Sequence, residues 1–220
     1  MIPKTIGFLS GKTLASCQDI QAIFEERGIL TQPLSFYEAS SSLSLPEILI
    51  LRGPMRSHPQ FALDFYEDLR EWSSLRSSIR QQKVKICGLG SGAALVLSDL
   101  AKENGFHLSW KPWPLSSEGA WTSVFAPEDP LPWLSLSFSQ LLPEETSLEP
   151  LKLSPWLSTE LGIVGWKANN SLMLSMLDIF AFAERQQHPH FGFRDLSLFA
   201  TRTDVLEKLL GIWASRESGA

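Results

Sequence analysis

The stretch at residues 85–97, KICGLGSGAALVL, carries the residues best placed for chemistry. An apolar run from Val84 to Cys87 meets a glycine-rich hinge, and an alanine- and leucine-rich stretch follows. That pattern is a strand–turn–helix corner, on which enzymes mount a nucleophile because the sharp bend exposes its side chain. The spacing Gly88-x-Gly90-x-Gly92 sets Gly90, a residue with no side chain, where a Ser or Cys would stand. Two chemistries compete for the corner on residue types alone. Gly88-x-Gly90-x-x-Ala93 satisfies a dinucleotide fingerprint, in which helix N–H groups face a pyrophosphate. The acid expected at the close of the next strand is absent, however, and Lys111 stands there. A serine elbow centred on Ser91 requires Gly at position 89, which is Leu89. None of the four histidines (His58, His107, His188, His190) has a local signature that would pair it with Ser91.

Two shorter motifs read as ordinary structure. Ser10-Gly-Lys-Thr13 after the first apolar run is one residue short of a P-loop, because only three residues separate Gly7 from Gly11. It reads as a helix start. His188-Pro-His190 has no third ligand in view and reads as a loop entering a strand.

The elements that would position the corner follow from periodicity. Residues 4–10 form an apolar strand, 14–28 an amphipathic helix closed by Gly28, and ILTQPLSF a second strand before a Ser-rich loop. Residues 47–54 read as a short apolar strand running into Gly53-Pro54, and a long helix extends from His58 to Gln82. With the strand before Gly88 and the helix after Ser91, the order is βαβαβα, which implies a parallel sheet wrapped by helices. Beyond Gly105 Pro and Trp become frequent and short alternating runs replace long helices. Residues 160–177 read as two strands around Asn169-Asn170, with a helix over Ser171–Glu184 as the alternative, and Val205–Trp213 as a closing amphipathic helix. A chain of 220 residues without repeat or linker is read as one α/β domain.

Composition narrows the function classes. A net charge of −5 argues against nucleic acid as partner, since binders of it show a basic stripe. Cys17 and Cys87 form no disulfide framework or zinc signature, and no apolar run reaches the length of a membrane span. The expected setting is the cytoplasm, with no membrane association, metal or cofactor.

The order of these features resembles that of class I glutamine amidotransferases, in particular the glutaminase subunits of anthranilate and aminodeoxychorismate synthases. GLGSGAALVL is similar to the family's G-x-C-x-G corner and the helix after it, with Gly90 in the cysteine's place. EILILRGPMRS resembles the strand and turn whose N–H groups form the oxyanion hole; Gly53 and Pro54 match and Arg52 departs. PLPWLSLSFSQLLPEE and the closing segment HFGFRDLSLFATRTDVLEKLLGIWAS resemble later family segments. Counting on from Gly192 and Phe193, Leu196 falls at the catalytic His and Leu198 at the Glu.

The resemblance implies a flavodoxin-like three-layer sandwich with a mostly parallel sheet. It also implies a site at Gly53, Gly90 and Ser91 from which the Cys-His-Glu triad is missing. Glycine cannot attack a carbonyl, and leucine can neither take a proton nor orient an imidazole. The expected protein is a catalytically degenerate member that binds a protein partner or a second copy of itself. The Trp- and Pro-rich region 110–134 is its partner-facing surface, and the corner accepts a small carboxylate or amide. Two enzyme alternatives stand beside it, with Cys87 (in a register aligning KICGLG with the family's cysteine) or Ser91 as nucleophile. A third alternative is a dinucleotide-binding protein through Gly88–Ala93.

Overall fold

The computed structural model describes residues 5–15, 17–26, 28–112, 121–124, 133–136, 141–160, 162–168 and 171–175. The first half alternates strand and helix: β1 (Thr5–Ser10), α1 (Gln18–Glu25), β2 (Leu30–Ser35), α2 (Phe36–Ser41), β3 (Ile48–Gly53), α3 (Pro59–Gln81), β4 (Lys85–Gly90) and α4 (Ser91–Glu103). Short strands follow: β5 (Trp110–Pro112), β6 (Trp121–Val124), β7 (Trp133–Leu136) and β8 (Leu141–Pro143). After them come α5 (Glu145–Leu148), a 3-10 turn, β9 (Ser154–Thr159), β10 (Gly162–Ala168) and β11 (Ser171–Leu174).

Seven strands make one sheet in the order β2-β1-β3-β4-β11-β10-β9. The pairings from β2 through to β11 are parallel; β10 joins β11 and β9 antiparallel. Ile48, Leu49, Ile50 and Leu51 of β3 are all fully buried, which is why this strand reads as a continuous apolar run. The two outer strands each carry a proline: Pro33 lies opposite Phe8, and Pro155 opposite Trp166. Proline has no N–H for a ladder and is tolerated on such edges. The ribbon β5–β8 and the hairpin β6–β7 form separate two-stranded pairs.

Helix α3 buries Phe61, Phe65, Trp72, Leu75 and Ile79 at helical spacing. Pro59 opens it at the first helical position, and the His58 ring caps it, with Nδ1 accepting from the Phe61 N–H at 2.9 Å. Its apolar stripe also contains one carboxylate, Asp68, only 2% exposed. That carboxylate accepts from the Lys12 N–H (2.9 Å), the Thr13 N–H (2.7 Å) and the Thr13 hydroxyl (2.6 Å).

Two expectations change here. The first helix begins at Gln18, later than its periodicity suggests, because Asp68 and the Ala15 N–H bond to the Arg52 carbonyl (2.6 Å) hold the preceding loop open. The start of the Ser-rich segment is the short helix α2, nucleated by a capping box in which Ser35 and Glu38 satisfy each other's backbone N–H groups. The expected strands around Asn169-Asn170 are β10 and β11, and the closing helix at Val205–Trp213 lies outside the described residues. No described helix is long and apolar enough to cross a membrane.

Replacing Asp68 with Ala strands three donors in a dry interior, a loss of about 3 kcal/mol. Thermal unfolding of Asp68→Ala is expected to show a Tm lower by roughly 6–12 °C in a chain of this size. An unchanged Tm would show that the loop is held by something else.

Candidate functional site

The corner is built where β3 and β4 end side by side, with Gly53 directly opposite Gly90. Gly90 closes β4 and precedes the first helical residue of α4, at φ 58° and ψ −115°. L-residues are excluded from that region by clashes of Cβ with the backbone, so a side chain here would be strained. An elbow that carries a nucleophile stores such strain at its tip. Glycine adopts the same bend without it.

Gly53 is required by crowding. A Cβ there would fall 2.2 Å from the Thr13 carbonyl oxygen and 2.4 Å from Ser91 Oγ. The loop over residues 11–15, the end of β3 and the start of α4 therefore meet with no space between them. Ser91 is fully buried and donates its hydroxyl to the Thr13 carbonyl at 2.7 Å. That bond weighs against the serine alternative, since the hydroxyl is committed and shielded and has no hydrogen bond to either described histidine. The dinucleotide alternative meets the same obstacle. The first turn of α4, Ser91 to Ala94, is buried, so a pyrophosphate would have to displace the Thr13 loop. The Ser10–Thr13 motif is likewise filled, because its N–H groups already enclose the Asp68 carboxylate.

Cys87 lies three residues before the tip, in mid-sheet, with Ile50 on one side and Leu172 on the other. It is 0% exposed. Burial first, and then the neighbouring Cys17, push its thiol up to about 12. A thiol so placed is a small hydrophobe, since the thiolate is the nucleophile and this one is suppressed. This placement weighs against the register that makes Cys87 the nucleophile. The structure thus brings Gly53, Gly90 and Ser91 together and leaves Cys87 apart. Leu196, Leu198, His188 and His190 lie outside the described residues.

Reading from residue types missed Asp68, which ties the corner to α3. Its signal was a carboxylate set three residues after Phe65 and four before Trp72, inside an apolar stripe. Among the described residues no group of three or more His, Cys, Asp or Glu side chains could hold a metal ion.

Alkylation of the folded chain by iodoacetamide at pH 8, mapped by mass spectrometry, is expected to leave Cys87 unmodified. Burial raises the thiol pKa and so suppresses its ionisation at that pH, and the flanking β-strands block access. Unfolding in denaturant should restore labelling; labelling of Cys87 at the unfolded rate in the native chain would contradict this placement.

No family model and no curated protein matches the sequence. Solved structures do match, over nearly the whole chain. A Thermoplasma acidophilum protein assigned as one subunit of a GMP synthase superposes with a TM-score of 0.63 at 16% identity, covering 98% of this chain and 96% of that one. A Thermotoga maritima glutamine amidotransferase gives 0.58 at 14% identity, over 94% of each chain. The glutaminase domain of Trypanosoma brucei CTPS gives 0.57 at 11% identity, covering 96% of this chain and 92% of that one. The parallel sheet, the β4–α4 corner and the helices around them thus have the fold of the class I glutamine amidotransferases.

Proposed function

We propose that this chain is a catalytically degenerate relative of the glutamine amidotransferases, without glutaminase activity, which acts by binding. The observation that carries the reading is Gly90 at φ 58° and ψ −115°: the elbow bend is kept while its tip has no side chain to attack with. Cys87 is sealed in the sheet and Ser91 is tied to Thr13, so the two nearest nucleophilic side chains offer no replacement. The alignment of Leu196 and Leu198 with the family's His and Glu supports the same reading from the sequence.

Binding then takes two forms in this proposal. The corner accepts a small carboxylate or amide at the turn of Gly53 and the start of α4. The chain itself has a regulatory or structural role and docks a protein partner or its own copy, in keeping with a structural neighbour assigned to a multi-subunit synthase. The Trp- and Pro-rich region 110–134 is the proposed docking surface, because Trp is favoured at the centres of interfaces. The proposed setting is the cytoplasm, in keeping with a sequence whose two cysteines carry no disulfide framework.

The test is release of glutamate from glutamine by the purified chain and by its Cys87→Ala and Ser91→Ala variants. A median enzyme turns over about 10 times per second, so activity of that order would register within minutes. No release above the buffer blank is expected from any of the three. Turnover lost in one variant would identify that residue as the nucleophile, and turnover surviving in both would place the nucleophile elsewhere. Either result overturns the degenerate reading.

A further inference from the structure

A cavity of about 630 Å³ lies away from the corner: none of Gly53, Gly90 and Ser91 lines it. It opens between the first half of α3, the second half of α4 and the ribbon β5–β8. Its floor is apolar, formed by Met55, Phe61, Phe65, Leu69, Trp110 and Leu141. Phe61 and Phe65 stack with ring centroids 6.1 Å apart, giving a flat aromatic wall. The volume lies within the usual range for small-molecule sites.

Among the described residues, the ionisable side chains that line this cavity are all basic: Arg56, His58, Lys102 and His107, with no Asp or Glu. In a chain with 24 acidic residues against 19 Lys and Arg, a rim with only basic groups departs from the surroundings. Arg56, Lys102 and His107 are exposed and form no ion pair with a described residue. Three of the four acids of α3 have partners elsewhere, Glu67 with Lys12, Asp64 with Gln60 and Asp68 with the residue 12–13 loop, and the fourth, Glu71, does not line the cavity. His58 Nδ1 already accepts from the Phe61 N–H, so the neutral ring carries its proton on Nε2 and adds a donor to the rim.

We propose that this cavity binds a small amphipathic carboxylate, its aromatic or aliphatic body on the Phe61–Phe65 wall and its anionic head at Arg56 and Lys102. The apolar floor would take up the body by removing its surface from water. The rim supplies the charge-assisted hydrogen bonds that a carboxylate accepts best, bidentate in the case of a guanidinium. A neutral body of the same shape would lose that second contribution, and a cation would meet repulsion. The site is separate from the Gly90 corner, so it stands whether or not the chain has glutaminase activity.

Titration calorimetry on the full chain tests this with 2-naphthoate and octanoate as probes, 2-naphthalenemethanol as the neutral control, and the variant Arg56→Glu/Lys102→Glu. Both substituted positions are exposed, and unchanged circular dichroism and Tm would confirm that the variant folds. At least one carboxylate is expected to bind with Kd below about 1 mM, and the double variant to weaken it by tenfold or more. Binding of the neutral alcohol should be weaker than that of naphthoate and indifferent to the charge reversal. A Phe65→Ala variant, checked for folding in the same way, should weaken both naphthalene ligands together. Absence of binding by both carboxylates, or equal affinity in wild type and the charge-reversed variant, overturns the proposal.

Discussion

One buried carboxylate sets the position of the corner. Asp68 sits in α3, yet its three hydrogen bonds all go to the loop between β1 and α1, more than fifty residues earlier in the chain. Desolvating a carboxylate is costly unless donors replace its water, and here two backbone N–H groups and a hydroxyl do so. The loop thus fixed offers the Thr13 carbonyl to Ser91 and the Ala15 N–H to Arg52. Through those bonds the end of β3 and the start of α4 are fastened to the same point. Gly53 is the spacer that lets the three segments touch. The bend at Gly90, a residue with no side chain of its own, is therefore held from outside by packed neighbours.

The same helix serves the cavity with its first turns. Phe61 and Phe65 turn to the groove beside the β5–β8 ribbon, while Asp68 reaches the loop. The corner is dense and its first helical turn is buried, whereas the cavity is open and bordered by basic groups. A tight corner can place groups with accuracy but admits little, and an open cavity admits a ligand but orients it only loosely. The structure separates these two capacities by about the length of a few helical turns.

How far the sequence foretold this depends on how local each cause is. The strands β1, β3 and β4 were legible because strands buried on both faces read as unbroken apolar runs, and α3 because its period is regular over 23 residues. The late start of α1 was not, since its cause is a residue in another helix. The helix α2 was hidden by its serines, although Ser35 and Glu38 stand three apart as a capping box requires. At the corner, the position of Gly90 was readable from spacing, but the commitment of Ser91 was not. The Thr13 carbonyl that accepts its hydrogen bond lies 78 residues away. The cavity was invisible for the same reason, because Phe65, Lys102 and Trp110 come together only when α3, α4 and β5 are packed.

The prolines of the two outer strands bear on how copies of this chain can meet. Pro33 interrupts the donor row of β2 and Pro155 that of β9, the strands that end the seven-stranded sheet. A foreign strand laid along either edge would find a gap in the hydrogen-bond pattern. Among the described residues, both ends of the sheet thus carry a residue unable to donate, a feature that natural sheets use against edge-to-edge growth. Contacts between copies are then left to side chains meeting across surfaces, where shape and charge decide the fit.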